Sequence, residues 1–417
     1  MSSVNDQTQA DYLASLDCVH CGLCIEHCPT YRETGRESAN PRGRIYLMRA
    51  LLEGRAEPTK GMRDDLDLCL VCRACESACP SGVRFGEIMA STRSRLRKRG
   101  FFRRTLMNLL HQPKRLRAAA SLLRFYQRSG LRVLRHVLPA RLRRMEAYAP
   151  IIPGRSDRAP LPRRTAASGP PQGTVAVLEG CVMPILFQDV NRDTVRLLAA
   201  AGFNVLVPEG QTCCGALHEH DGDLSTSERL LRRNADAFCT EEILNVVSNA
   251  SGCGAGLLGA AHQVADPKGA RLAGKVVDLS RFLLDHGERL RFKPCSLIVT
   301  YDAPCHLLHA QREAVAPLAM LRRLPGITLV PLPEADRCCG AAGIYNLDQP
   351  EMSTAILSEK LDALASTGAQ VLVTGNPGCL LQWRQGVRER GMNVEVVHPA
   401  TLLARQLEDV GAPRTGS

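Results

Sequence analysis

Aromatic side chains are scarce, at 4% of 417 residues with a single tryptophan. A surface so short of rings offers no stacking platform for bases, which argues against nucleic-acid partners. The N-terminal stretch MSSVNDQTQADYLASLD has neither a basic run nor an apolar one, so no secretory signal is expected. Long apolar runs are lacking as well. The longest uncharged stretch, residues 243–265, carries Asn245, Ser248, Asn249 and Ser251 among several glycines and is too polar to span a bilayer. Acidic residues are missing from one whole segment: between Ser91 and Met145 there are 17 Lys/Arg and no Asp/Glu. The formal net charge of +11 belongs to that segment, and the rest of the chain is acidic at −6.

Cysteine, by contrast, is abundant. Eighteen cysteines in a chain without an export signal point to a reducing compartment and to metal ligation. Eight of them form two copies of one spacing. The first is Cys18-x2-Cys21-x2-Cys24-x3-Cys28-Pro29 and the second Cys69-x2-Cys72-x2-Cys75-x3-Cys79-Pro80. In two-cluster ferredoxins this spacing supplies three thiolates to one [4Fe–4S] cluster and a fourth to the other. On that rule Cys18, Cys21, Cys24 and Cys79 hold one cluster, and Cys69, Cys72, Cys75 and Cys28 hold the second. Zinc also uses C-x2-C pairs, but draws them from separate knuckles and does not require four cysteines in one short run.

The chain is long enough for two to three domains. Residues 1–90 read as helices bracketing two cluster loops, with no strand alternation. Thr30 to Gly35 reads as a loop, Ile45 to Leu52 as a helix, and Asp64 to Leu68 as a further helical turn. Arg42 and Arg44 stand at the helix start, either as donors near a cluster or as an ordinary exposed pair. Residues 91–149 are basic and amphipathic: Leu96, Phe101, Leu106, Leu109 and Leu110, then Leu122, Leu123, Leu131, Leu134 and Leu138, recur at helical intervals, with Pro113, Gly130 and Pro139 as breaks. Such helices suit an acidic partner or an anionic membrane surface, or else a solvated hairpin between domains. Residues 150–172 are rich in Pro, Gly and Ser and read as a linker.

The remainder repeats itself. Gly173 to Gly180 is a buried-strand pattern ending at Cys181, a helix spans Asp189 to Ala201, and Phe203 to Val207 precedes Cys213-Cys214-Gly215. Cys253 follows a further strand, and Val276 to Leu279 closes the set. Downstream, Leu297 to Tyr301 leads to Cys305, Ile327 to Val330 precedes Cys338-Cys339-Gly340, Val371 to Thr374 leads to Cys379, and Val394 to Val397 feeds the last helix. The cysteines are offset by 124, 125 and 126 residues. Two α/β lobes of one design are expected, at 173–290 and 291–417, each carrying four cysteines at the carboxyl ends of its strands, where such sheets collect ligands. Those thiols read either as the ligands of a further Fe–S cluster in each lobe or as buried structural thiols. His218, His220, His306 and His309 lie nearby, with a core or surface histidine as the default reading. Cys239 and Cys295 have no counterpart in the repeat and read as apolar fillers.

With these motifs the chain resembles the iron–sulfur subunits of glycolate oxidases (glycolate dehydrogenases) over nearly its full length. The resemblance is carried by CVHCGLCIEHCPTYRETG, NPRGRIYLM, CLVCRACESACPSGVR, LEGCVMP, CCGALHEH, SGCG, CCGAAGIYN and NPGC. The paired Cys-Cys-Gly modules are also similar to those of heterodisulfide reductase and anaerobic glycerol-3-phosphate dehydrogenase subunits. Where heterodisulfide reductase has the first cysteine of a closing C-x2-C pair, this chain has Ala250 and Asn376, so the special clusters of that family do not transfer. The resemblance implies an α + α/β fold: an all-helical two-cluster ferredoxin domain followed by two Cys-Cys-Gly lobes. It also implies a cytoplasmic oxidoreductase subunit, peripheral on the inner membrane, without a catalytic residue of its own. Flavoprotein partners would oxidise glycolate to glyoxylate and pass electrons through this chain to a quinone or other acceptor. A lactate or glycerol-3-phosphate system, or catalysis at the lobes themselves, are the alternatives. No G-x-G-x-x-G turn follows a strand here, which places the flavin on the partner.

Overall fold

The computed structural model describes residues 2–96, 100–130, 133, 143, 146, 149–264 and 266–408. Leu131, Leu134, Leu138 and Pro139, read above as part of the basic amphipathic stretch, lie outside them. Among the described residues before Arg164, regular structure is helical only, and no described helix is long and apolar enough to cross a membrane.

The helix Pro41–Leu52 shows how local sequence sets the first half. Asn40 Oδ1 accepts the Gly43 N–H at 2.8 Å, and Pro41 occupies the first turn, where its missing N–H costs nothing. Gly43 is obligatory, because a Cβ there would lie 1.9 Å from the Glu37 carbonyl oxygen. Residues expected to loop after Cys28 instead form the helix Pro29–Thr34, with proline in the first turn and Gly35 closing it at φ 63°. Six residues are too few to show an apolar period, although both terminal signals are present. The turn expected at Asp64 is likewise the end of a longer helix, Lys60–Asp67, capped by Thr59. Ile45, Met48, Leu66, Val83, Phe85, Ile88 and Met89 form a buried apolar core beneath both cysteine runs.

The two sheets have one strand order. Strands β1 (Arg164–Thr165), β2 (Gly173–Val177), β3 (Phe203–Leu206), β4 (Val246–Ser248) and β5 (Val276–Asp278) form the first, ordered β1-β3-β2-β4-β5. Strands β6 (Leu297–Tyr301), β7 (Ile327–Val330), β8 (Val371–Val373) and β9 (Glu395–Val397) form the second, ordered β7-β6-β8-β9. All pairings are parallel except that of β1 with β3. Strand β1 belongs to the stretch read as a linker, which is thus partly ordered against the first sheet. In each lobe the first parallel strand lies between the second and third, so chain connections depart to either side of it and open a crevice at the strands' carboxyl ends. The duplication extends to backbone detail. Gly215 and Gly340 both have φ 84°, and a Cβ on either would press on the equivalent serines Ser227 and Ser353.

One apolar core runs through both lobes, from Val175 and Val205 to Leu372 and Leu403. Polar bonds close the seam around the cysteine loops. Ser251 N–H and Oγ–H both donate to the Gly375 carbonyl, at 3.1 and 2.7 Å, and Gly252 N–H donates to Asn376 Oδ1 at 3.1 Å. His398, only 2% exposed, spans the same seam: Nε2–H donates to the Asn249 carbonyl at 2.7 Å, while Nδ1 accepts from Ala400 N–H and caps the last helix.

Burial lowers the His398 pKa to about 4, because a charged ring here would lose its water and its acceptor nitrogen. A ring that binds its proton near pH 6.5 when unfolded but near 4 when folded contributes stability in full above pH 6.5, and loses it as pH falls towards 4. That difference is worth about 3 kcal/mol. We predict that thermal melts will fall across this window, and that His398→Asn, which keeps a capping oxygen, will flatten the slope; an unchanged slope would refute the assignment.

Candidate cluster-binding sites

The structure divides the eight N-terminal cysteines into two environments. The first run lies at the surface, with Cys21 exposed, Cys18 and Cys24 half-buried, and His20 and Gly22 turning the loop at positive φ. Burial raises the Cys24 thiol to about 11, and Cys18 and Cys21 are near enough to add to the effect. Cys79 packs with Cys18 against the helical core. In the second run Cys69 is buried and Cys72, Cys75 and Cys79 are half-buried. Cys72 and Cys75 interact electrostatically with each other, with Cys69, and with Cys28 from the first run. These four thiols line one small cavity, with Arg44 and Phe85 on its wall. Burial pushes the thiols of Cys72 and Cys75 well above the ordinary range. Thiols raised in this way stay protonated unless a cation takes the place of the protons, so the donor set fits a cationic iron centre. Among the described residues no group of three or more His, Cys, Asp or Glu side chains is set as a ready-made site for one metal ion.

Arg44 is not an exposed arginine but one turned in beside the cysteine runs. It is 1% exposed and donates to Thr30 Oγ1 at 3.0 Å, to the Asp65 carbonyl at 3.0 Å and towards Cys28 Sγ at 3.8 Å. Arg42 stays at the surface, paired with Glu37 at 2.8 Å and reaching over Gly22.

Cys69–Cys75 is held from outside by residues distant in sequence. Tyr345 Oη–H donates to the Leu68 carbonyl at 2.8 Å, Arg93 donates to the Cys69 carbonyl at 2.6 Å, and His306 Nε2–H donates to the Val71 carbonyl at 3.1 Å. His309 Nδ1 lies 2.9 Å from Ser77 Oγ. His306 is therefore a structural donor, and burial lowers its pKa to about 4 so that the ring is neutral. His220, against which it packs at 5.0 Å between ring centres, is half-buried, and loss of water pushes it well below the ordinary histidine range. The carbonyl of His220 accepts from Arg93 at 2.9 Å.

Arg93 and Tyr345 escaped the sequence reading. Arg93 is one among many arginines in a basic run, yet it shares a helix face with Met89 and is 5% exposed. Arg103 from the same run is likewise turned inward, pairing with Asp221 at 2.6 Å and with Asp348. The period-of-four spacing of Arg93 from Met89 was the available signal.

In both lobes the cysteines form a row in the same order. Cys181, Cys213, Cys214 and Cys253 lie within electrostatic reach of one another, as do Cys305, Cys338, Cys339 and Cys379. Ala250 caps the helix Ser251–Leu258 with extended backbone, and Asn376 spends its amide on Gly252 N–H and on Cys379 Sγ at 3.6 Å. Cys239 contacts the Lys268 carbonyl and Cys295 packs beside Gly326, both apart from the rows.

Three family models match this chain: a 4Fe-4S dicluster domain over residues 14–83, a cysteine-rich domain over 175–257 and 299–384, and a linker region of the glycolate oxidase iron-sulfur subunit over 98–149. A probable glycolate oxidase iron-sulfur subunit of Bacillus subtilis is 38% identical, covering 93% of each chain. The glycolate oxidase iron-sulfur subunit of Escherichia coli is 35% identical over 87% of this chain and 88% of its own. Lactate utilization protein A of Shouchella clausii is 29% identical over 55% of this chain and 98% of its own length.

Arg44→Met should expose three buried acceptors and cost about 2–3 kcal/mol. Denaturant unfolding monitored by circular dichroism will measure it, and a loss below 1 kcal/mol would show that the guanidinium does not hold this loop.

Proposed function

The chain belongs to the family of glycolate oxidase iron–sulfur subunits, and from that premise we propose that it is the electron-transfer subunit of a complex that oxidises glycolate to glyoxylate. The observation that carries this reading is the convergence of Cys28 with Cys69, Cys72 and Cys75 on one cavity, which supports the crossed ligand rule of two-cluster ferredoxins. In this reading the helical half, residues 1–90, is the ferredoxin domain. Cys18, Cys21, Cys24 and Cys79 hold one [4Fe–4S] cluster, and Cys69, Cys72, Cys75 and Cys28 hold the other. When bound, the clusters supply one-electron transfer.

The chain's own residues set the conditions around those sites. Cys21 lies at the surface, where an electron donor has access to the first site. Leu70, Phe85 and Ile88 are buried at the second and exclude water. Arg44 points a fixed positive charge and an N–H at Cys28 Sγ. Glycolate oxidation itself, with loss of hydride from the α-carbon, falls to a flavoprotein partner, and a quinone or other acceptor takes the electrons. The basic segment 91–149, less Arg93 and Arg103, is the docking element for the partner or for anionic lipid at the cytoplasmic face of the inner membrane. The match of residues 98–149 to a glycolate oxidase linker favours glycolate over lactate as the substrate of the complex.

Anaerobically purified chain should carry about eight irons in its N-terminal half, and Cys28→Ser should remove about four of them. The isolated chain should not reduce a dye with glycolate unless a flavoprotein is added. Stoichiometric zinc in place of iron, or glycolate oxidation by the chain alone, would overturn the reading.

A further inference from the structure

A cavity of about 470 Å³ opens between the helical half and the first lobe. Its walls come from the helices Ser2–Leu16 and Phe85–Leu96 on one side, and from Ala216–His220 and Ser251–Leu258 on the other. Small-molecule sites typically measure roughly 300–1,000 Å³. No cysteine lines this cavity, so it is not the space that a cluster would fill. It nevertheless adjoins such a space. Val71 and Arg73 line both this cavity and the small one formed by Cys28, Cys69, Cys72 and Cys75. The loop 71–73 is the partition between them.

The charged groups on the walls are already committed. Arg73 donates from Nε to Glu76 at 2.9 Å, and Arg84 pairs with Glu87 at 3.1 Å. Asp11 pairs with Arg95, and Glu228 with Arg232. What remains is the carboxyl of Glu219, with Arg73 within electrostatic reach. A glycolate or phosphate anion would find no unpaired arginine or lysine here, and burying a charge without a partner is costly.

Two imidazoles provide what the charged groups do not. His306 donates its Nε2–H to the Val71 carbonyl, which leaves Nδ1 as an acceptor. A Cβ on the lining residue Gly252 would lie 3.6 Å from that nitrogen. The ring of His220, 5.0 Å from that of His306 between centres, has no hydrogen-bond partner among the described residues. As neutral rings the pair offers one N–H donor and two acceptor nitrogens. The rest of the wall is small or apolar, with Ala14, Val71, Ile88, Ala216, Ala255 and Leu258.

A flat, neutral ring bearing carbonyl groups is complementary to such a wall. Its faces are apolar, a carbonyl oxygen can accept from His220, and in the reduced form a hydroxyl can donate to His306. We propose that this cavity binds a quinone and is the seat of the electron acceptor of the complex. The proposal rests on the relay reading above, which brings electrons to the other side of the loop 71–73. Glycolate gives up two electrons and two protons in becoming glyoxylate. The quinone takes up two of each in becoming the hydroquinone, with the protons exchanged through water at the cavity mouth.

The test is equilibrium dialysis of duroquinone against the anaerobically purified, oxidised full chain. The ring of this quinone is fully substituted, so thiols do not add to it. Wild type should bind one molecule per chain, and neither glycolate nor inorganic phosphate in excess should displace it. His220→Leu, which removes the donor, should weaken binding about tenfold. Ala255→Phe, which fills the cavity, should abolish it, and His220→Leu decides alone if that variant does not fold. Circular dichroism and iron content should match wild type in both. Absence of binding in wild type, displacement by either anion, or undiminished binding in His220→Leu would overturn the proposal. Failure of the relay reading would register separately, as duroquinone bound in the expected pattern by a chain holding fewer than about eight irons.

Discussion

The structure depends on how the carbonyl groups of one buried cysteine loop are satisfied. Residues 68–73 sit where neither helix nor sheet can take their hydrogen bonds, and Val71 and Arg73 adopt left-handed backbone that disfavours side chains, a β-branched one above all. Buried carbonyls without partners are costly. Here each is met from far away: Leu68 by Tyr345, Cys69 by Arg93, Val71 by His306. The loop can therefore hold its shape only when the helical half is seated on the second lobe, which ties this cysteine loop to the α/β half of the molecule.

That seating gives the two cysteine runs unequal surroundings. The first remains at the surface under Arg42, while the second is sealed between Phe85, Arg44 and the second lobe. Burial raises thiol pKa values and penalises charge, so fixed cations and donors matter most at the enclosed site. Arg44 meets that need at Cys28. The repeated half meets the same need differently in its two lobes: buried Asn234 donates to the Cys213 carbonyl in the first, and buried Lys360 pairs with Asp302 in the second.

Much of this was legible before any coordinates. The strands at Leu297–Tyr301 and Ile327–Val330 are short β-branched or apolar runs bounded by breakers, and they stand where those patterns place them. The helix Pro29–Thr34 was not legible, because one and a half turns show no period and only its proline and glycine ends mark it. The basic segment does not face outward throughout: Arg93 and Arg103 turn inward to carbonyl and carboxylate partners. Arginine's five fixed donors make it the residue most able to serve such a buried role, and composition alone does not reveal which arginines do so.

What the sequence determined by itself is the local chemistry: eight cysteines at ferredoxin spacing, two Cys-Cys-Gly repeats, and the strands that present them. Ligand spacing and strand period are properties of neighbouring residues, fixed by covalent geometry within a few bonds of the chain. Only the tertiary structure decided which run is enclosed, which lobe lies against it, and which charged side chains face the thiols. Those outcomes rest on contacts between residues 232 to 277 positions apart, which exist only once the apolar cores have packed and brought distant donors to buried acceptors.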